Sequence, residues 1–312
     1  MPRRAVVVGA ALGLSACARV APTTVEPAGS SGGSSSSATT SPAERPSGTP
    51  THSTPARPGS PSSATGPAEG GPIPARSAIV ARFAGRVPHQ WSETATGVVR
   101  RLDSGRDVVA LTFDLCGGPY PGSAGNGVDA DLLRVLRRHQ ARATFFVNER
   151  WARANPRAFE DLAEDPLFEI ANHGTRHLPL SVTGRSAYGE PGTRNPGEVY
   201  DEIAGNSAYL AARLGRRPAW FRGGTAFYDE VAVAICEEMG ERVIGFVVNG
   251  DAGTTFSAGQ IVAQLATARA GDIVISHANR PEHATAEGYA AGLPALLARL
   301  RPVTLSGHLR PA

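Results

Sequence analysis

Five side chains able to move protons or hold charge stand at the ends of apolar runs. Asp114 closes "DVVALTFD", His173 follows "FEIAN", Arg222 follows "AWF", Asp251 follows "VIGFVVNG", and His277 follows "DIVIS". A carboxylate accepts protons, an imidazole exchanges them near neutral pH, and a guanidinium fixes the charge of a neighbouring acid. One such residue would mark a turn, whereas five of different chemistry on separate runs mark a site. A second pattern is "NHGTRH", which sets His173 and His177 four residues apart. If that segment turns helically, both rings point the same way and can share a divalent ion.

The elements that must position these groups alternate along the chain. Short β-branched or aromatic runs ("VVALTF", "ATFFV", "FEIAN", "AWFR", "VIGFVV", "DIVIS", "VTLS") are separated by longer helical patterns. The latter are "DADLLRVLRRH", "RANPRAFEDLAE", "PGEVYDEIAGNSAYLAARLG", "DEVAVAICEEMG", "SAGQIVAQLATARAG" and "AEGYAAGLPALLARL". Such alternation predicts an α/β fold, a distorted and incomplete (β/α) barrel of about seven parallel strands. In a parallel barrel the C-terminal strand ends converge on one face, where active sites are built.

Composition narrows the chemistry. The 312-residue chain contains no lysine, which excludes Schiff-base catalysis and a Walker-type phosphate loop. Its formal charge of +3 forms no patch that points to nucleic acid. "MPRR" followed by "AVVVGAALGL" and "LSAC" predicts a lipoprotein-type signal peptide over residues 1–17, with Cys17 as the lipidated residue after cleavage. Residues 18–78 are Ser, Thr, Pro and Gly with few large apolar side chains, the composition of a disordered tether. Such a tether has a root-mean-square span of about 40 Å. The chain is therefore expected at the outer face of a bacterial cell membrane, anchored through Cys17, with one catalytic domain over residues 79–312. Cys116 and Cys236 are the remaining cysteines and are able to pair, although two cysteines do not establish a bridge.

The ordered set "ALTFD", "ATFFVNERW", "EIANHGTRH", "WFRGGTAFYD", "VVNGDAG" and "GDIVISH" resembles the polysaccharide deacetylase family, carbohydrate esterases with a chitooligosaccharide-deacetylase homology domain. The resemblance runs from about Val98 to Leu305 and implies a distorted (β/α) barrel. It also implies metal-dependent removal of acetyl groups from N-acetylated sugars, with zinc, cobalt or manganese polarising the amide carbonyl and activating water. Matched residue by residue, Asp114 is the general base and His277 the general acid. Arg222 orients the base, Asp251 positions that arginine or tunes the histidine, and the N–H of Thr225 faces the oxyanion. His173 and His177 match two metal ligands.

Leu115 departs from the pattern. The family usually reads "TFDD", its second acid completing an Asp-His-His triad, and leucine ligates nothing. Three readings stay open: Asp114 coordinates the ion itself; Cys116, Asn148 or Glu149 substitutes; or the metal is lost and the domain only binds glycan. "RGGT" also replaces the family's more usual proline-containing stretch. Of Trp91, Trp151 and Trp220, at least two are expected in the core rather than stacked on sugars. The expected partner is an N-acetylated glycan, and the expected state is a monomer that hydrolyses amides. The alternatives are a non-catalytic glycan-binding relic of the fold and an ester-cleaving variant.

Overall fold

The computed structural model describes residues 73–103, 106–119 and 122–312. The expected signal peptide, Cys17 and most of the tether lie outside the described residues. The first helix, α1 (Arg76–Phe83), starts three residues before the expected domain boundary at 79. Among the described residues, no helix is long and apolar enough to cross a membrane.

Eight parallel strands form one sheet: β1 (Val108–Leu115), β2 (Ala143–Val147), β3 (Phe168–Asn172), β4 (Trp220–Phe221), β5 (Arg242–Val243), β6 (Val248–Asn249), β7 (Ile273–His277) and β8 (Arg301–Val303). Seven follow the order β5-β4-β3-β2-β1-β7-β6, and β8 pairs with the first residues of β1. Helices α2 (Ala130–Arg138), α3 (Glu149–Ala154), α4 (Pro156–Glu164), α5 (Pro196–Leu214), α6 (Glu230–Glu238), α7 (Ala258–Thr267) and α8 (Thr285–Leu297) connect them. The incomplete barrel expected from the sequence is therefore present.

The curl of the sheet follows from chain length. The "VIGFVV" run, expected as one strand, is divided: β5 and β6 lie on opposite edges, with only residues 244–247 between them. Six flat inter-strand spacings would separate those edges by about 29 Å. Four linking residues span at most about 18 Å. The sheet must curl until its edges approach, and the interior so made is the site's floor. The exposed edge of β5 is covered by the preceding chain, where the Val99 N–H donates to Val243 O at 2.9 Å and the Gly245 N–H to Val99 O at 2.7 Å.

Alternation along β1 separates two cores. Val109, Leu111, Phe113 and Leu115 pack outward with Leu132, Leu136, Phe145 and Trp151, beneath the helices. Val108 and Ala110 point inward with Phe146, Ala171, Trp220 and Ile273. The period of two then carries Thr112 and Asp114 inward as well, the latter at the strand's C-terminal end. Helix boundaries obey local chemistry. Asp129 caps α2 through Leu132 N–H, Ser257 and Gln260 cap α7 reciprocally, and α5 ends at Gly215 in the left-handed region. "RANPRAFEDLAE", expected as one helix, splits into α3 and α4 at Asn155, because Pro156 takes the first helical position of the second.

Candidate active site

Asp114 is 3% exposed and lies in register with His277 of β7 on one side and Phe146 of β2 on the other. Its Oδ1 accepts a 2.8 Å hydrogen bond from Arg222 Nη1. Arg222 follows β4, is fully buried, and uses the rest of its guanidinium as a bracket. Nη1 donates to Thr112 Oγ1 at 2.9 Å, Nε to Ile244 O at 3.0 Å, and Nη2 to Gly245 O at 3.2 Å. The Phe146 ring lies 4.1 Å below its Cζ. Burial pushes the Asp114 carboxyl up, but Arg222, His173 and His277 together outweigh it and hold the group below the usual range. This carboxylate is thus kept ionised inside the protein.

Of the two partners open from sequence, Asp251 contacts His277 and not Arg222. Asp251 Oδ1 lies 2.9 Å from His277 Nδ1, and Oδ2 accepts the His277 backbone N–H at 2.7 Å and the Thr285 hydroxyl at 3.1 Å. With Nδ1–H directed to a carboxylate, Nε2 is the ring nitrogen left with a lone pair for proton exchange.

The segment carrying His173 and His177 does not turn helically. It turns through left-handed conformations at Gly174 (φ 75°) and His177 (φ 62°). Glu202 of α5 holds the turn, accepting the Arg176 N–H at 2.9 Å and the Leu178 N–H at 3.2 Å. A Cβ at Gly174 would approach Glu202 Oε1 to 2.5 Å, so glycine is required twice over. The two rings still meet edge to face, with centroids 4.8 Å apart.

These histidines fit a metal. His173 Nδ1 lies 2.7 Å from Arg222 O, and a carbonyl can only accept, so the proton sits on Nδ1. Nε2 therefore carries a lone pair, yet it is buried without a hydrogen-bond partner. An orphaned imidazole nitrogen of this kind is costly unless an ion completes it. Burial holds both rings below the ordinary histidine range, although Asp114 opposes this at each. Neutral imidazole is the ligating form. Cys116, His173 and His177 present ligand atoms within 4.8 Å of one another.

Asn148 and Glu149, two candidate substitutes, are occupied elsewhere. Asn148 caps α3 and donates to His173 O and Gly174 O, while Glu149 pairs with Arg153 at 2.7 Å. Thr225 sits in a left-handed turn (φ 65°), and its neighbour Gly224 passes so close to His177 that a Cβ would lie 2.1 Å from His177 O. Trp151 and Trp220 are core residues, and Trp91 packs against Phe227 with centroids 5.7 Å apart. Cys116 and Cys236 form no disulfide; Cys236 belongs to the core around α6. Sequence reasoning missed Thr112, Phe146, Glu202 and Thr285. Only Thr112 carried a signal, standing two residues before Asp114 on the same strand face.

Residues 101–244 match the family model for polysaccharide deacetylase. The uncharacterized protein YlxY of Bacillus subtilis (strain 168) is 26% identical over 116 residues, 36% of this chain and 32% of its own length. The match thus spans about a third of that curated relative. Among solved structures, the Bc1960 peptidoglycan N-acetylglucosamine deacetylase superposes with a TM-score of 0.58 at 20% identity, covering 69% of this chain and 94% of its own. BA3943 from Bacillus anthracis, a CE4 family pseudoenzyme, superposes at 0.52 and 20% identity, covering 64% and 63%. One fold therefore houses an enzyme and a pseudoenzyme. The matched span shows a polysaccharide deacetylase domain over residues 101–244, and these solved structures share its fold.

Proposed function

We propose that the chain removes acetyl groups from N-acetylated sugars of a wall or extracellular polysaccharide by metal-assisted hydrolysis. The observation that carries this reading is the pairing of a charged base, Asp114 on Arg222, with a histidine held by an acid, His277 on Asp251, on adjacent strands. A site that merely binds sugar needs neither arrangement.

A divalent ion held by His173, His177 and a third donor would polarise the acetamide carbonyl and make the attacking water more acidic. The protein's own groups do the remainder. Asp114 Oδ2, left by Arg222 for other work, takes the proton of the attacking water. The Thr225 N–H is assigned to the developing oxyanion. His277 Nε2 delivers a proton to the sugar nitrogen, because an amine leaves only when protonated, and Asp251 stabilises the imidazolium that precedes this transfer. An ester would leave more readily and depend less on His277.

The same proposal puts the enzyme outside the cell, tethered through a lipid on Cys17. "LSAC" and the Ser/Thr/Pro/Gly segment behind it support this placement. Replacing Cys17 with alanine should move the protein out of the membrane fraction; unchanged fractionation would refute the anchor.

The test of function is acetate release from N-acetylated glycan fragments by the purified full chain, metal-stripped and then loaded with zinc, cobalt or manganese. Release that depends on added metal is expected. Metal binding without release on amide or ester substrates would leave the glycan-binding relic standing.

A further inference from the structure

Leu115 occupies the position of the family's second acid, and here its side chain belongs to the core rather than to the site. Its side chain is 1% exposed and packs with the outward-facing core beneath the helices, on the opposite side of β1 from Asp114. The next residue returns to the inner side. Cys116 is 2% exposed, and its Sγ lies within 4.8 Å of a ring nitrogen of both His173 and His177. Asp114 gives its Oδ1 to Arg222, and its Oδ2 lies 3.7 Å from His173 Nε2, within reach of the attacking water as a base.

The turn after Cys116 is tightly fixed. Gly117 has φ 71°, and a Cβ there would meet Trp151 N at 2.6 Å; a Cβ at Gly118 would meet Ser123 Cβ at 2.1 Å. The Gly118 N–H donates to Asn126 Oδ1 at 2.8 Å. The thiol is therefore delivered to a set position rather than left on a wandering loop. Independently, the buried lone pair of His173 Nε2 has no partner and lies in the same cluster.

We propose that Cys116, as thiolate, completes the metal set with His173 and His177 in place of the missing carboxylate. This rests on the deacetylase reading for the presence of an ion but is a separate statement about its ligands. On binding, the Cys116 S–H proton passes to solvent and the sulfur forms the metal bond. A thiolate with two imidazoles is a borderline-soft set, which favours zinc or cobalt over manganese or magnesium. It also leaves Asp114 free of the ion and therefore available as a base.

Cobalt reports the ligand directly. The full chain, stripped and loaded with Co²⁺, should show an intense near-ultraviolet thiolate-to-cobalt charge-transfer band. Cys116→Ser should lose that band and bind Co²⁺ and Zn²⁺ at least about 100-fold more weakly, beyond the effect typical of an outer-shell change. Cys17 and Cys236 remain in that variant, so loss of the band assigns it to Cys116. His177→Ala should lose it too, which keeps the test open if Cys116→Ser fails to fold. Cobalt bound through the histidines without the band, at an affinity unchanged in Cys116→Ser, would overturn the thiolate ligand and leave the deacetylase reading intact. A wild type that binds no metal would overturn both.

Discussion

Asp114 and Glu241 are both acids taken out of water, and the fold treats them in opposite ways. Asp114 receives a guanidinium at 2.8 Å and two nearby imidazoles, which lower its pKa despite burial. Glu241, just before β5, is fully buried with an amide donor, Asn172 Nδ2, at 2.8 Å, and Arg217 only at 3.8 Å. Burial therefore prevails there and pushes its carboxyl up to about 7. The signs of their pH effects follow. Asp114 contributes stability that is present above the unfolded aspartate pKa and is lost as pH falls through its lowered folded value. Glu241 does the reverse. Between the ordinary 4.5 and about 7 the unfolded chain has ionised while the folded one keeps its proton, so stability drops as pH rises through that window. Charge is retained at the candidate site, and a proton is retained where the acid only ties β3 to its neighbours.

The strongest way to break this contrast is Asp114→Asn. The substitution keeps size and leaves an oxygen for Arg222, so the fold should survive while hydrolysis falls by at least about 10²- to 10⁴-fold. A rate within about threefold of wild type would make both acids structural. Next, Arg222→Met would leave the carboxylate buried without its counterion. We expect a loss of about 3–5 kcal/mol in denaturant unfolding, as for other broken buried pairs. A variant as stable as wild type would show that the imidazoles alone keep Asp114 charged. The smallest effect concerns Glu241→Gln. Removing a carboxyl that resists ionisation should raise stability at pH 8 by up to about 3 kcal/mol and flatten its decline between pH 5 and 7. An unchanged slope in thermal unfolding would mean Glu241 is ionised in the folded state, like Asp114.

The parts of the site fixed by local pattern were readable from sequence. Asp114, His173, Arg222, Asp251 and His277 end or follow apolar runs, and a parallel sheet brings such ends together whatever the details. The parts fixed by distant packing were not. The turn that joins His173 to His177 depends on Glu202, far along the chain on α5, and no spacing rule within "NHGTRH" reveals it. Phe146 reads as an ordinary core aromatic until the guanidinium is placed upon it. "VIGFVV" looks continuous because its apolar pattern does not record that Ile244 and Gly245 turn their carbonyls to Arg222 as the chain crosses between sheet edges. Leu115 was legible as a lost ligand. That it faces the helices, and so hands the inner position to Cys116, required the strand's alternation to be seen in place.

The central position of β1 sets the order in which the candidate site can assemble. Its partners β7 and β8 come from the last stretch of the chain, and the Thr112 hydroxyl bond to Val274 O closes a separation of 162 residues. Contacts of that span are slow to form, because the entropy of closing the intervening loop is lost before any pairing energy is gained. A nascent or truncated chain ending before Ile273 already contains Asp114, Arg222 and both candidate metal histidines, but it has neither His277 nor the strand that holds Asp114 in register. Asp114 and His277 therefore come together only once β7 has joined β1, so that no fragment ending before His277 can carry both.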